Sequence, residues 1–467
     1  MNNRAIARVG VLFAALFAIL FVRQAYVQLI SGPSIAARPY NPRHALLTVH
    51  RGRILAADGT VLAETVHNRR VYPFGGALAQ TVGYLSARYG TAGLENAYDR
   101  ALSPPDATGE PAAQLAEILD ALRAKHSPIR GADIITTLNP AIESTVAAEL
   151  APYARAAAVV LDPRSGALLA VASLPSFDPN RLDSEFNSLL RNPASPLLNR
   201  ALDGLYPPGS TFKIVTAADA LDSGVVTAQS TFRDPGYLVV GNFTLHNDED
   251  EYTGTQDVTT AFALSSNVDF AQIALLLGVD RWYSYASAWG LGSSLDFQLP
   301  TQRDRIPEKS TVSDGELAQM GFGQGSLLMT PLRMALIAST IANNGVEPRP
   351  FVVRQVDRSF ARSSYAGASL ATPITADTAA EVKKMMVAVV QRGTGTIAAL
   401  PGITVAGKTG TATNPMGRAH SWFVCFAPAE HPRVAIAVIV ENAGYGAAVA
   451  APIARNILRV ALKNTAT

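Results

Sequence analysis

Val9 to Val22 (VGVLFAALFAILFV) is a fourteen-residue stretch without a charge, bounded by Arg8 and Arg23. A membrane span needs about 20 residues, so this one is long enough only if a flanking arginine snorkels to the headgroups. A cleaved signal peptide is the alternative. No small-x-small cleavage site follows directly, and Tyr26 can sit at an interface, so residues 1–30 are expected to be a single-pass anchor. Arg4 and Arg8 before the run orient the short N-terminus to the cytoplasm and the rest of the chain outside it. The pattern changes after Ser31. Pro33, Pro39, Pro42, Pro73, Pro104, Pro105, Pro111 and Pro128 break up the stretch to about Arg130, which reads as a small loop-rich domain. Within it, Leu115, Ile118, Leu119 and Leu122 have helical spacing over Leu115 to Ala124.

Asn139-Pro140 then begins a helix through Ile142 to Leu150, with an Asn cap and proline at the first position. Ala158–Leu161 and Ala167–Val171 flank the turn residues Asp162-Pro163-Arg164-Ser165-Gly166, which predicts a hairpin. Ser421–Phe426 and Val434–Val440 form a second pair of strand-like runs, and Ala448 to Leu462 reads as a closing helix. Between these ends the chain is helix-rich. Strands at both ends with helices between them imply an α/β unit over residues 156–467, its sheet assembled from distant segments and covered by helices. Residues 31–155 are left as a separate small domain.

Composition changes this picture little. With 467 residues and 48% hydrophobic residues the chain can bury a large core, and a formal net charge of +2 does not suggest a nucleic-acid partner. A single cysteine, Cys425, excludes an intramolecular disulfide and a cysteine-based metal site.

Three short motifs carry chemistry. Tyr206-Pro207-Pro208-Gly209 ends a loop, and Ser210-Thr211-Phe212-Lys213 opens an almost wholly apolar helix, Ile214 to Leu221. Ser210 thus stands where unpaired N–H groups and the helix dipole favour developing negative charge. Lys213 lies one turn deeper on the same face, and a buried lysine gives up its proton readily enough to serve as a base. Read blandly, Ser210 is an N-cap and Lys213 a surface residue; yet of seven lysines only Lys213 has a serine three positions before it. Ser265-Ser266-Asn267 separates the apolar stretches Val258–Ala263 and Phe270–Leu277. Ser265 and Asn267 reach one cleft only if the helix is interrupted there, and a simple helix-breaking turn is the alternative. Gly407-Lys408-Thr409-Gly410-Thr411 follows Ile403–Ala406, which reads as strand, and its glycines permit close backbone approach of a ligand. A phosphate-binding loop would need its glycines before the lysine and a helix after it.

Ser210-x-x-Lys213, Ser265-x-Asn267 and Lys408-Thr409-Gly410, each occurring once and in this order, resemble the motif set of penicillin-binding proteins and serine β-lactamases. The likeness to class B penicillin-binding proteins continues through Gly321-Phe322-Gly323-Gln324-Gly325, Leu328-Met329-Thr330-Pro331 and Trp422–Pro428, covering roughly Ala156 to Leu462. In the small domain Arg51-Gly52-Arg53-Ile54 with Asp58-Gly59 and Gly93-Leu94-Glu95 are similar to the family's pedestal. The resemblance implies a transpeptidase fold, an antiparallel sheet covered by helices plus an all-helical subdomain, on a small α+β pedestal. It implies a peptidoglycan D,D-transpeptidase of the bacterial cell membrane, acting on stem peptides outside the cytoplasm, acylated by β-lactams, and needing no cofactor or metal. It also implies a partner: a polytopic glycosyltransferase of the shape, elongation, division and sporulation family. By the same resemblance Ser210 is the nucleophile and Lys213 its base, while Ser265 relays a proton to the departing D-alanine and Asn267 holds a substrate amide. Lys408 would add positive charge that depresses the Lys213 pKa. Thr409 and Thr411 would hold the terminal carboxylate along the Gly410 strand, and the N–H groups of Ser210 and Thr411 would form the oxyanion hole.

Two departures stand out. The pedestal is shorter than in many members, and Cys425 replaces a common glycine, which reads as a small buried sulfur. His420 reads as a residue of the cleft rim. Competing readings are a β-lactamase, for which no Glu-x-x-Leu-Asn segment stands between the second and third motifs, a D,D-carboxypeptidase, and a non-catalytic β-lactam sensor or scaffold.

Overall fold

The computed structural model describes residues 3–26, 51–104, 130–248, 253–358, 361–414 and 417–465. The helix expected over Leu115–Ala124 lies outside them. The first apolar stretch forms helix α1, Asn3–Ala25, with Leu12, Phe13, Phe17 and Phe21 exposed. Among the described residues no helix is long and apolar enough to cross a membrane. Fourteen uncharged residues rise only about 21 Å, against a hydrocarbon core of about 30 Å, so a span here would draw on the flanking arginines, as the sequence suggests.

The small domain contributes β1 (Ile54–Leu55), β2 (Val61–Val66), β3 (Arg69–Val71) and β4 (Asp133–Thr136). The matched pedestal segments meet in a buried ion network: Arg51 Nε donates to Glu95 at 2.7 Å, Arg70 Nε to the other Glu95 oxygen at 2.6 Å, and Arg51 Nη1 to Ser103 at 2.9 Å. Helix α2 (Pro140–Leu150) follows, capped by Asn139, whose side chain accepts from Ala141 and Ile142 as its sequence predicts. Beyond it come β5 (Ala156–Leu161), β6 (Leu168–Leu174), α3 (Lys213–Asp222), α4 (Val258–Leu264), α5 (Asn267–Ala288) and α6 (Pro331–Ala342). The remaining elements are β7 (Val353–Arg358), β8 (Ala361–Ser364), α7 (Ala376–Arg392), β9 (Ala406–Ala412), β10 (His420–Ala427), β11 (Val434–Val440) and α8 (Ala450–Asn464).

The expected sheet from both ends of the catalytic region is a five-stranded antiparallel one, ordered β9-β10-β11-β5-β6. Its inner strands β5 and β11 read as unbroken apolar runs because both faces are covered. Along β11, Ile436 and Val438 pack with Leu150 of α2 and Ile457 of α8, whereas Ala437 and Ile439 face the other way with Leu332 and Leu336 of α6. Cys425 lies on the α2–α8 side, fully buried, and burial pushes its thiol pKa up; it is a small core residue.

Two features were not expected. Strands β7 and β8, deep in the catalytic sequence, complete the small domain's sheet, ordered β8-β7-β4-β1-β2-β3. Two short antiparallel pairs, Tyr237–Val240 with Phe243–His246 and Thr231–Asp234 with Gly254–Asp257, also interrupt the helix-rich middle.

Glu143 in α2 is fully buried and accepts from Val171 N at 2.9 Å. Burial pushes its pKa from 4.5 to about 8. A carboxyl raised in the folded state binds more protons there, so its contribution to stability is intact below pH 4.5 and is lost as pH rises toward 8. The expected slope is up to about 1.4 kcal/mol per pH unit. Glu143→Gln removes that slope, as melting temperatures across this pH range would show; an unchanged slope would mean Glu143 does not carry it.

Candidate active site

The loop before Ser210 is pinned from two directions. Trp422 Nε1 donates to Pro207 O at 3.0 Å, and Gly209 N to Gly323 O at 2.9 Å, which explains why the Gly321–Gly325 segment belongs to the site. Gly209 has φ +53° and an added Cβ would lie 2.8 Å from Thr411 O, so only glycine lets the loop meet β9. Residues Gly209–Phe212 form a 3-10 turn that runs into α3 at Lys213. Ser210 is 7% exposed at the head of this helix, whereas Lys213 beneath it is wholly buried. The bland reading of Lys213 as a surface residue is therefore excluded.

The second motif breaks the helix as its chemistry requires. Helix α4 ends at Leu264, Ser265 takes a left-handed conformation (φ +66°, ψ 34°), and Ser266 caps α5 by accepting from Asp269 N. This turn brings Ser265 and Asn267 together on Lys213. Lys213 Nζ donates to Ser265 O at 2.5 Å and to Asn267 Oδ1 at 2.8 Å, and lies 3.3 Å from Ser265 Oγ. The other Asn267 polar atom, Nδ2, donates to His246 O at 3.1 Å.

The third motif lies on a strand, which starts later than the run Ile403–Ala406 suggests: β9 begins at Ala406 and residues 403–405 precede it. β9 is the edge of the five-stranded sheet. Lys408 is wholly buried, and its Nζ donates to Ser265 Oγ at 2.8 Å and to Thr409 O at 3.2 Å. Gly410 makes its close approach to protein: an added Cβ would meet Thr211 Cγ2 at 2.8 Å and Trp422 Cβ at 2.9 Å. Ser210, Ser265, Thr409 and Thr411 line one cleft, which is also lined by Asn247, Asp248, Leu264, Thr394 and Tyr445.

The Ser265 hydroxyl is thus shared between two lysine nitrogens, and burial governs both. Burial lowers the Lys213 pKa to about 7, against the opposing pull of Asp248, Asp269 and Asp234. Lys408 is pushed well below its ordinary value, first by burial and then by the charge of Lys213. Both buried ammonium groups are thus held below their ordinary value, and the repulsion between them adds to burial. A neutral Lys213 has two N–H bonds, satisfied by Ser265 O and Asn267 Oδ1, and one lone pair to receive a proton. Among the described residues Ser210 Oγ has no hydrogen-bond partner, so it is not yet engaged by that lone pair.

His420 is not at the rim. It is 8% exposed, edge-on to Tyr206, and its Nδ1 accepts from Asn442 N at 3.1 Å. Burial lowers its pKa. Thr394 is a cleft residue the motifs do not include: its Oγ1 lies 2.6 Å from Thr409 Oγ1, and its backbone N donates to Ala263 O at 3.1 Å. Its flanking glycines, Gly393 and Gly395, were the one available signal.

Comparison with known proteins agrees with this geometry. Residues 156–459 match the penicillin binding protein transpeptidase domain, and residues 51–122 the penicillin binding protein A dimerisation domain. The chain is 33% identical to the peptidoglycan D,D-transpeptidase PbpA of Mycobacterium tuberculosis over 99% of both chains. The solved structure of penicillin-binding protein A from M. tuberculosis, as its penicillin G acyl-enzyme complex, has a TM-score of 0.81 at 32% identity, covering 89% of this chain and 100% of that one. The D,D-transpeptidase domain of a peptidoglycan glycosyltransferase from Eggerthella lenta has a TM-score of 0.80 at 35% identity, covering 89% and 99%.

Proposed function

Because the chain belongs to the class B penicillin-binding proteins, we propose that it cross-links peptidoglycan as a D,D-transpeptidase through an acyl-enzyme on Ser210. The observation that carries the chemistry is the Ser265 hydroxyl held 3.3 Å from Lys213 and 2.8 Å from Lys408 at the base of the Ser210 cleft. Neutral Lys213 takes the Ser210 proton as Oγ bonds to the penultimate D-alanine carbonyl carbon. The N–H groups of Ser210 and Thr411 receive the developing oxyanion. The C–N bond then breaks, and the proton passes from Lys213 through Ser265 to the departing D-alanine amine. Asn267 fixes Lys213 by accepting from it, and its remaining Nδ2 hydrogen is available to a substrate amide. Thr409 and Thr411 bind the terminal carboxylate on the edge strand carrying Gly410, and that negative charge favours the protonated form of Lys408. An acceptor-strand amine completes the reaction. β-Lactams follow the same first step and stop at the acyl-enzyme.

The proposed organisation is an anchor over residues 1–30, a pedestal over 31–155 and a transpeptidase domain over 156–467. The family matches at 51–122 and 156–459 support this division. The apolar run Val9–Val22 between Arg8 and Arg23 supports a single-pass anchor in the bacterial cell membrane with the catalytic domain outside the cytoplasm. Nascent strands are made at that surface, and tethering there raises the effective substrate concentration. The partner is a polytopic glycosyltransferase of the shape, elongation, division and sporulation family, meeting Val9–Val22 and the pedestal around Arg51–Leu62. The test supplies lipid II to the full-length protein in detergent, alone and with the co-expressed polymerase. Cross-linked glycan is expected only in the second case; glycan polymerised by this chain alone would overturn the division of labour, and uncross-linked glycan in the presence of both would overturn the transpeptidase reading.

A further inference from the structure

The turn that joins α4 to α5 is shaped by a residue outside all three motifs. Asp234 ends the strand Thr231–Asp234 and is wholly buried. Its Oδ2 accepts from Ser266 Oγ at 2.7 Å, Asn247 Nδ2 at 2.7 Å and Thr253 Oγ1 at 2.6 Å, and its Oδ1 from Gly236 N at 2.8 Å. Among the described residues no lysine, arginine or histidine pairs with it. Two of these donors are the side-chain caps of α5. Ser266 Oγ accepts from Asp269 N at 3.0 Å, and Asn247 Oδ1 accepts from Asn267 N at 2.8 Å and Val268 N at 3.1 Å. Helix α5 therefore starts on two acceptors that each also donate a hydrogen to one carboxylate.

A carboxylate can only accept, and this decides the polarity of the whole cluster. Ser266 and Thr253 must donate to Asp234, which turns the Ser266 lone pairs to Asp269 N and leaves those of Thr253 for Gln256 Nε2 at 2.9 Å. Asn247 must present its Nδ2 to Asp234, which leaves its Oδ1 for the helix. Burial alone would raise the Asp234 pKa, but the hydrogen bonds from Thr253, Ser266, Asn247 and Gly236 hold it below its ordinary value, so the acceptor stays charged at neutral pH. Resting on the reading of Ser210, Lys213 and Ser265 given above, we propose that Asp234 is a positioning residue for acylation: through Ser266 and Asn247 it fixes the turn that delivers Ser265 and Asn267 to Lys213.

Asp234→Asn tests the polarity argument with almost no change of shape. One asparagine oxygen can still accept from Gly236 N, but an NH2 group would then face three donors. Either the hydroxyls turn over or Asn247 flips and points N–H at N–H; both routes undo the caps. The full-length protein in detergent is titrated with a fluorescent penicillin, separating the initial binding constant from the acylation rate constant and counting the fraction of molecules labelled at saturation. The acylation rate constant of Asp234→Asn is expected to fall by on the order of 10-fold or more, as small displacements of reacting groups do. Initial binding should stay within a few-fold and the labelled fraction near that of the parent.

Ser266→Ala should lower the same rate constant. The double variant should be no slower than the slower single, because both changes act through one cap. A parental rate constant in Asp234→Asn overturns the proposal. So does a loss confined to the labelled fraction, which would mark a purely structural role, or fully multiplicative effects in the double variant. If Asp234→Asn does not fold, Ser266→Ala alone decides: a parental rate constant there is equally fatal. Failure of the parent to acylate at Ser210 would instead overturn the site reading itself.

Discussion

Lys213→Arg should slow β-lactam acylation by on the order of 10²-fold or more, the usual cost of removing a general base. The side chain sits in full burial at a pKa of about 7, so in the parent a large share is neutral at physiological pH. Acylation should therefore rise with pH through about 7 and level off above it, because only the deprotonated amine can accept the Ser210 proton. Arginine keeps its proton throughout, so the variant should lose both the rate and this titration. Its guanidinium must also fit where a single nitrogen now meets Ser265 O and Asn267 Oδ1. Lys213→Met, which restores neither charge nor base, separates the two effects: it should be as slow as the arginine variant while packing more easily. Stopped-flow acylation between pH 5.5 and 9 is the measurement, with both pH limits set by roughly ±1.5–2 units about the expected pKa. An arginine variant within a few-fold of the parent would refute the role of Lys213 as base.

Gly209→Ala is expected to slow acylation as well, by a route that substitutes no catalytic side chain. The residue holds φ +53°, and its Cβ would come within 2.8 Å of Thr411 O and 3.1 Å of Ala412 Cα. Both obstacles are backbone of β9, so the strand and the 3-10 turn must separate. Those two segments carry the N–H groups of Ser210 and Thr411, and loss of a donor aimed at an oxyanion costs about 10²–10³-fold. The expected result is a drop of at least about 10-fold in the acylation rate constant with the fold retained. Acylation at the parental rate would mean that the turn and the strand can part without moving the oxyanion site.

Much of this architecture was legible from short-range pattern. The turn Asp162–Gly166, the cap at Asn139 and the runs in β10 and β11 each express a local rule, and each appears where that rule puts it. The pairing of β7 with β4 did not show, because Val353–Arg358 lies more than 200 positions after Asp133–Thr136 and nothing local says which sheet a strand will join. The edge strand begins later than propensity suggests: Ile403–Val405 has the higher β-propensity, yet the strand is the glycine-rich Ala406–Ala412, held by its pairing to β10 and by contact with the serine turn. Tertiary context overrode propensity there.

The candidate site divides in the same way. Ser210, Lys213, Ser265, Asn267 and Lys408 announce themselves by unusual residue types at fixed spacing. Thr394 and Asp234 do not, since a threonine between glycines and an aspartate before Pro235-Gly236 are what ordinary turns contain. Their parts come from what they touch: the Thr409 hydroxyl in one case and the cap of α5 in the other.

The most direct test of the account is to incubate the purified full-length protein with a fluorescent penicillin, map the adduct by peptide mass and time its release. The account predicts one adduct, on Ser210, that persists for many minutes and is absent from a folded Ser210→Ala variant; an adduct on another residue, or release within seconds as a β-lactamase would give, would contradict it.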